Sequence, residues 1–254
     1  MRLVLITGGT SGIGFALVEQ YLNHGYRVIL TGRNKKKVAE TVQYFSQYPN
    51  FILGQVVDVR NAVEMNTFIQ YVAQNYGLDI VIANAGIASS FIKQVSLAEM
   101  ANTIFSTNVN GVFNTIHPSI EVMMRKGEGQ IAIVSSMASY FGLKTSPYYA
   151  SSKAAIRVLA EGISPLLKQH NIILSTIIPG FIESKMLKQS TIKKLPMLMS
   201  AETASKIIFQ GIKKQKRTII FPKPMFALIY VLSLLPLSIR ELIINKMLVF
   251  SKKQ

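Results

Sequence analysis

Tyr149 and Lys153 stand four residues apart in a segment whose apolar spacing predicts a helix over Tyr148–Gln169. Four residues along a helix bring two side chains onto one face. Such a pair could move a proton. A tyrosine hydroxyl has a reference pKa of about 10, too high for easy exchange near neutrality, and a lysine cation beside it favours the phenolate. The tyrosine can then act as an acid toward a carbonyl oxygen gaining negative charge, and as a base in the reverse direction. Tyr148 lies next door, but of the two only Tyr149 precedes a lysine by four. Ser135 and Ser136 follow a predicted strand over Gln130–Val134, at the edge where α/β sheets hold ligands, and a hydroxyl there could orient the same oxygen.

That chemistry needs a hydride donor, and the N-terminus offers a place for one. Thr7-Gly8-Gly9-Thr10-Ser11-Gly12-Ile13-Gly14 lies between a predicted strand over Leu3–Ile6 and a predicted helix over Gly12–Asn23. Gly8 permits the tight turn, Gly12 lets the backbone approach a pyrophosphate, and Gly14 lets helix and strand pack closely. The helix N-terminus adds unpaired N–H groups and the positive end of its dipole. The second strand ends Leu30-Thr31-Gly32-Arg33-Asn34, without the acidic residue that holds the ribose of NAD. Arg33 sits where a guanidinium could clamp a 2′-phosphate. NADP(H) is therefore expected over NAD(H). Lys35, Lys36 and Lys37 read as a solvated helix start.

These groups are spread over a regular alternation of elements. Strands are predicted at Leu3–Ile6, Arg27–Leu30, Phe51–Val57, Ile80–Ala83, Gln130–Val134, Ile172–Ile178 and Thr218–Phe221. Helices are predicted at Gly12–Asn23, Lys35–Phe45, Val63–Tyr76, Glu99–Arg125, Tyr148–Gln169 and Ser200–Lys214. The strand runs are almost wholly apolar, as parallel strands covered on both faces must be. The fold class is α/β: a Rossmann-type, doubly wound parallel sheet in three αβα layers. One domain spans residues 1–221, followed by an apolar and basic extension over 222–254.

On these residues the chain resembles the short-chain dehydrogenase/reductase family, from Leu3 to about Phe221. The Thr7–Gly14 loop is similar to the family's cofactor loop, and Ser136 with Tyr149-Ala-Ser-Ser-Lys153 to its active site. The resemblance implies that Ser136, rather than Ser135, orients the carbonyl and that Lys153 also holds a ribose hydroxyl. It implies that Asp58, with Val59, contacts adenine and that Asn84-Ala85-Gly86 supports the sheet beside the cofactor. Asn108, in Asn108-Val-Asn-Gly111, would hold a water in a proton relay from Lys153. Pro179, Gly180, Ile182 and Ser184 would form the nicotinamide turn, and the segment from Phe181 to Pro196 would lie over the substrate. Self-association into a dimer or tetramer through the two long helices is implied too. The implied activity is interconversion of a ketone or aldehyde and an alcohol.

Composition narrows the alternatives. The 254 residues contain no cysteine, which excludes disulfides, thiolate metal sites and cysteine nucleophiles. His24, His117 and His170 have no second ligand at helical spacing, so no metal site is expected. The first residues leave no room for the apolar stretch of a secretory leader, and a cytoplasmic protein is expected. Of the net charge of +16, residues 1–184 carry +4 (14 basic, 10 acidic) and residues 185–254 carry +12 (14 basic, 2 acidic). The sixteen residues from Pro224 to Ile239 are uncharged, too few and too interrupted at Pro236 for an expected membrane span. Apolar residues with basic neighbours suit an anchor on an anionic membrane surface. The competing reading is a helix packed over the substrate cleft or against a second subunit. Nucleic acid is not expected, because the basic stretch lacks interleaved aromatic residues. A non-catalytic dinucleotide-binding protein would not require Ser136, Tyr149 and Lys153 together. The tail points to a lipophilic substrate, such as an acyl, sphingoid-like or steroid-like carbonyl.

Overall fold

A computed structural model of the protein describes residues 1–88, 95–183 and 197–243. Its centre is a seven-stranded parallel sheet. The strands are β1 (Leu3–Thr7), β2 (Arg27–Gly32), β3 (Ile52–Val56), β4 (Ile80–Ala83), β5 (Gly129–Val134), β6 (Ile172–Pro179) and β7 (Thr218–Phe221), in the order β3-β2-β1-β4-β5-β6-β7. The order reverses between β1 and β4, where an open α/β sheet leaves a crevice at its carboxyl ends. Register runs Ile6 to Ile82 and Ile82 to Ala132, so the loops after β1, β4 and β5 emerge side by side.

Side chains alternate across each strand. Leu3 and Leu5 join one core with Val81, Ile131 and Ile133; Val4 and Ile6 join the other with Ile82 and Ala132. The first core is covered by helices α3 (Ala62–Tyr76), α5 (Gly111–Lys126) and α6 (Pro147–Lys168). The second is covered by α1 (Gly12–Leu22), α2 (Lys35–Tyr44) and α7 (Ala201–Lys213). Burial on both faces is why the strands read as unbroken apolar runs, β1 being buried at all five positions.

One predicted helix divides. Glu99–Arg125 was expected to be continuous; the chain instead forms α4 (Leu97–Phe105), a π turn over Ser106–Asn110, and then α5. The π turn lodges Thr107, Asn108 and Val109 in the interior. Its wider register aims Asn108 at the loop after β4, a use to which such turns are often put.

Beyond β7 the chain forms a further helix, α8 (Lys223–Leu234), and turns helical again over 237–243 after Pro236. Met225 and Leu232 bury one side of α8, and Met225 packs with Met137 and Ile178. No helix among the described residues is long and apolar enough to cross a membrane.

Candidate active site

The loop from β1 to α1 is built for close approach. Gly12 has φ +54°, a left-handed value that a side chain disfavours. A Cβ at Gly14 would lie 2.2 Å from the Gly8 carbonyl oxygen and 2.5 Å from Asn84 Nδ2. Helices α2, α3, α4 and α7 are capped by the side chains of Asn34, Asn61, Ser96 and Ser200; Ser11 stands at the same position of α1 in extended conformation and caps nothing. The first-turn N–H groups of α1 therefore have no side-chain acceptor, and they face the loop a phosphate would enter. These features fit a dinucleotide's pyrophosphate, with Thr10, Ser11, Gly12 and Ile13 around it.

Thr7, expected among the cofactor contacts, has its side chain buried in the scaffold. Its buried hydroxyl donates to the Ile82 carbonyl and accepts from the amides of Asn84 (3.1 Å) and Ala85 (3.2 Å). Asn84 Nδ2 donates to the carbonyls of Thr7 and Gly8. Thr7 thus ties the ends of β1 and β4 together, and Asn84 holds Gly8 in its turn. Both shape the cradle from behind.

At the adenosine end, Arg33 is exposed at the end of β2. Asp58 follows β3, and Arg60, which the sequence reading passed over, clasps its carboxylate. Arg60 Nε lies 3.0 Å from both oxygens and Nη2 2.6 Å from one. Burial pushes the Asp58 carboxyl upward, but the Arg60 hydrogen bonds and the charges of Arg60 and Arg33 hold it below its ordinary value. An adenine contact by Asp58 must share the carboxylate with Arg60. Val59 is core: its side chain packs where a Cβ on Gly111 would stand, and its carbonyl accepts from Asn114 Nδ2 at 2.9 Å.

The catalytic candidates converge at the end of β5. Ser136 caps a 3-10 turn over Met137–Tyr140, its Oγ accepting from the Ala138 amide at 3.1 Å. Ser135 faces inward and donates to the Lys153 carbonyl at 2.9 Å, which separates the two serines: one braces α6 and the other faces Tyr149. Tyr149 and Lys153 share one face of α6, with Lys153 Nζ 5.9 Å from the centre of the Tyr149 ring. Lys153 is buried and donates to the Val134 carbonyl at 2.8 Å.

The electrostatic balance departs from expectation. Burial raises the Tyr149 phenol above its ordinary value, and the opposing influence is its hydrogen bond with Ser136, not Lys153. Burial also lowers the Lys153 ammonium to about 8, because the interior disfavours its charge. The cation that was to acidify the phenol is turned toward Val134 and is itself easier to discharge.

Asn108, fully buried, is held on three sides. Its Oδ1 accepts from the Ile87 amide at 2.8 Å, and Nδ2 donates to the Ile87 carbonyl at 2.9 Å and to Ser152 Oγ at 3.0 Å. Ser152 in turn donates to the Tyr149 carbonyl at 2.8 Å. The π turn, the loop after β4 and the first turns of α6 are locked together by these bonds. A Cβ on Gly86 would lie 3.3 Å from both Asn108 Oδ1 and Lys153 Nζ, so the loop, relay candidate and lysine meet at one point. Ser152 was missed because a serine within a helix carries no signal until its partner, 44 residues away, is in place.

After β6, Pro179 is buried and Gly180 is crowded by Met137 and Met225, whose Sδ atoms would lie 3.5 and 2.7 Å from an added Cβ. Ile182 is buried and bridges to Met199. Ser184, and the expected substrate-covering segment beyond Glu183 as far as Pro196, lie outside the described residues.

Comparison with known proteins agrees with this fold. The sequence profile of the family described as "short chain dehydrogenase" matches residues 2–195. A 3alpha-hydroxysteroid dehydrogenase of Mediterraneibacter gnavus is 30% identical over 200 residues, covering 76% of this chain and 80% of that protein. Among solved structures, the short chain dehydrogenase/reductase from Burkholderia phymatum in complex with NAD superposes with a TM-score of 0.80 at 19% identity, covering 90% of this chain and 92% of that one. ElxO with NADP bound superposes with a TM-score of 0.76 at 25% identity, covering 86% and 97%. A doubly wound sheet with its glycine cradle at the switch point, a match over three-quarters of the sequence and these structural likenesses lead to one assignment: the chain belongs to the short-chain dehydrogenase family of NAD(P)-dependent oxidoreductases.

Proposed function

We propose that the protein interconverts a lipophilic ketone or aldehyde and its alcohol, using NADP(H). The observation that carries this reading is the convergence of Ser136, Tyr149 and Lys153 at the carboxyl end of β5, beside Gly86 and the glycine cradle. The dinucleotide, when bound, supplies or accepts the hydride. In reduction, Ser136 donates a hydrogen bond to the carbonyl oxygen and fixes its direction. Tyr149 gives its proton to that oxygen as negative charge develops there. The phenol holds its proton at neutral pH, the form that reduction requires, and an approaching cation would be needed to ease its release. Lys153, freed from Val134, would hold a ribose hydroxyl and bring its charge toward the phenol. Because the Asn108 amide is engaged by Ile87 and Ser152, a water in the relay would bond to its main-chain carbonyl.

NADP(H) is favoured by Arg33, by the absence of an acid at the end of β2, and by the positive field that Arg33 and Arg60 set up around Asp58. A lipophilic substrate is in keeping with the apolar cluster of Met137, Ile178 and Met225, with Phe181 packed against it, beneath the turn that Ser136 caps. The steroid named for the Mediterraneibacter gnavus relative is of that kind.

The test is a set of carbonyls of increasing chain length, followed by NADPH or NADH oxidation. The expected result is kcat/KM rising with chain length and higher with NADPH. Tyr149→Phe should bind NADPH as wild type does and lose roughly two to four orders of magnitude in turnover. Turnover by Tyr149→Phe at the wild-type rate would remove the acid assignment. Dinucleotide binding without turnover of any carbonyl would return the protein to the non-catalytic class.

A further inference from the structure

Between α7, β7 and α8 runs an open groove of about 690 Å³ that none of the catalytic candidates lines. Its floor is apolar, built from Ile207, Ile220 and Phe226. Its rim is basic: Lys214, Lys216 and Lys223 stand on it, all exposed and without an ion-pair partner among the described residues. Lys206 also reaches the rim but pairs with Glu202 at 2.6 Å. No acidic side chain lines the groove among the described residues. Apolar floor and cationic rim are the complement of a lipid chain with an anionic head.

Helix α8 extends this character outward. After Lys223 it has no charged residue, and it is apolar on its outer side as well as its packed side. Ala227, Val231 and Leu234 continue along the stripe that begins at Lys223, at spacings of four and three residues. Leu228, Val231 and Leu234 are 45, 57 and 69% exposed. Seven of the eighteen large hydrophobic residues exposed among the described ones fall between Leu228 and Leu242. A helix apolar all round belongs in a core or in lipid. This one has twelve residues, about 18 Å, against a hydrocarbon thickness of about 30 Å. It is long enough to lie in a bilayer surface and too short to cross it.

We propose that this face docks on an anionic bilayer, with the groove seating one anionic lipid, Lys214, Lys216 and Lys223 meeting headgroups, and the outer side of α8 entering the acyl boundary. Residues 197–243, which include this face, hold seven basic and two acidic side chains, and the excess adds to the attraction. A two-fold contact centred on the rim would set Lys214, Lys216 and Lys223 against their own copies, which disfavours a second copy in that pose. The docked helix also packs, through Phe226, on Tyr140 of the turn that begins at Ser136, at a ring separation of 5.2 Å. A lipophilic substrate leaving the bilayer would enter beside the site.

The experiment is co-sedimentation of the full chain with phosphatidylcholine vesicles, with and without 30% phosphatidylglycerol, at low and high salt. Wild type should bind the anionic vesicles, release at high salt and bind neutral vesicles weakly. At roughly fivefold per lysine, the triple variant Lys214→Glu, Lys216→Glu, Lys223→Glu should lose about 100-fold or more in vesicle partitioning. It should keep its NADPH-dependent turnover of a water-soluble carbonyl. Leu234→Asp, at an exposed position, should also weaken vesicle binding and serves if the triple variant folds poorly. Wild type that ignores anionic vesicles, or a triple variant that binds them equally, would overturn the assignment without touching the oxidoreductase reading. So would dimerisation abolished by the same variant in place of vesicle binding, or saturation by monomeric dodecyl phosphate with no affinity for vesicles.

Discussion

Lys153 is the residue whose environment has the sharpest consequence. Its ammonium titrates at about 8 in place of 10.5 because burial disfavours the charge. The unfolded chain keeps that proton up to the ordinary value. Between about 8 and 10.5 the unfolded state therefore binds more protons than the folded one, and stability rises with pH; below about 8 the folded protein bears the full cost of the buried charge, about 3 kcal/mol. Tyr149 acts in the opposite sense. Its raised phenol keeps a proton that the unfolded chain loses above pH 10, so stability falls with pH beyond that point. Urea unfolding from pH 7 to 11 should show Lys153→Met more stable than wild type at pH 7, the difference closing between 8 and 10.5. A constant difference across that range would mean that the titrating group is elsewhere. Asn108 makes a second case. Asn108→Ala would leave the buried Ile87 amide without its acceptor and should destabilise the fold by about 1–3 kcal/mol, read from the urea midpoint. Ser152→Ala should cost less stability but release the first turn of α6, lowering kcat with KM for NADPH unchanged.

At the scale of elements, strand positions were legible because burial on both faces writes itself into the sequence as continuous apolar runs. Helices α1 and α3 were legible from apolar periodicity. The π turn was not, because Ser106-Thr-Asn-Val-Asn110 contains no glycine or proline to mark it; the insertion is imposed by the need to bring Asn108 to Ile87. The shared helix face of Tyr149 and Lys153 was legible from their spacing, and the place of Ser135 and Ser136 from the strand before them. Their electrostatics were not, since the direction of Lys153 Nζ depends on a carbonyl 19 residues away. Arg60 went unread for the same reason: it follows Asp58 by two residues, and only the local backbone turn brings the pair together. The two competing readings of the tail came from one fact, an apolar run without a polar face. In the structure α8 buries one side through Met225 and Leu232 and leaves the other exposed, a division that an apolar run by itself does not reveal. The packed side can be tested alone. Met225 is buried against Met137 and Gly180, and Met225→Ala should cost about 2–5 kcal/mol, with an unchanged urea m-value. By loosening the turn that Ser136 caps, it should also lower kcat/KM for the carbonyl while sparing NADPH affinity. Equal stability would mean that α8 contributes nothing to the core.

For the molecule as a whole, the dinucleotide is a folding ligand as well as a reactant. Its cradle draws on β1, α1, the end of β2 and the loop after β4, elements that separate when the chain unfolds, so only the folded state offers the site. At a hundred times its dissociation constant, such a ligand stabilises by about 2.7 kcal/mol. For a domain of this size each kcal/mol moves the melting temperature by about 2–4 °C, so a shift of about 5–10 °C is expected. The two ends of the dinucleotide contribute separately. The pyrophosphate seat at α1 would serve NADH and NADPH alike, whereas Arg33, on the NADP(H) proposal, would bear on the 2′-phosphate that distinguishes them. At equal concentration NADPH should therefore shift the melting temperature more than NADH. Arg33→Ala should bring the NADPH shift down to the NADH shift, leaving the latter unchanged. Raising ionic strength should narrow the gap in wild type, because Arg33 is exposed and its attraction for a phosphate is screened. Tyr149→Phe should keep both shifts in full. Equal shifts by the two dinucleotides in wild type would move the preference away from NADP(H) and leave the fold, the glycine loop and the acid untouched, because none of these depends on Arg33.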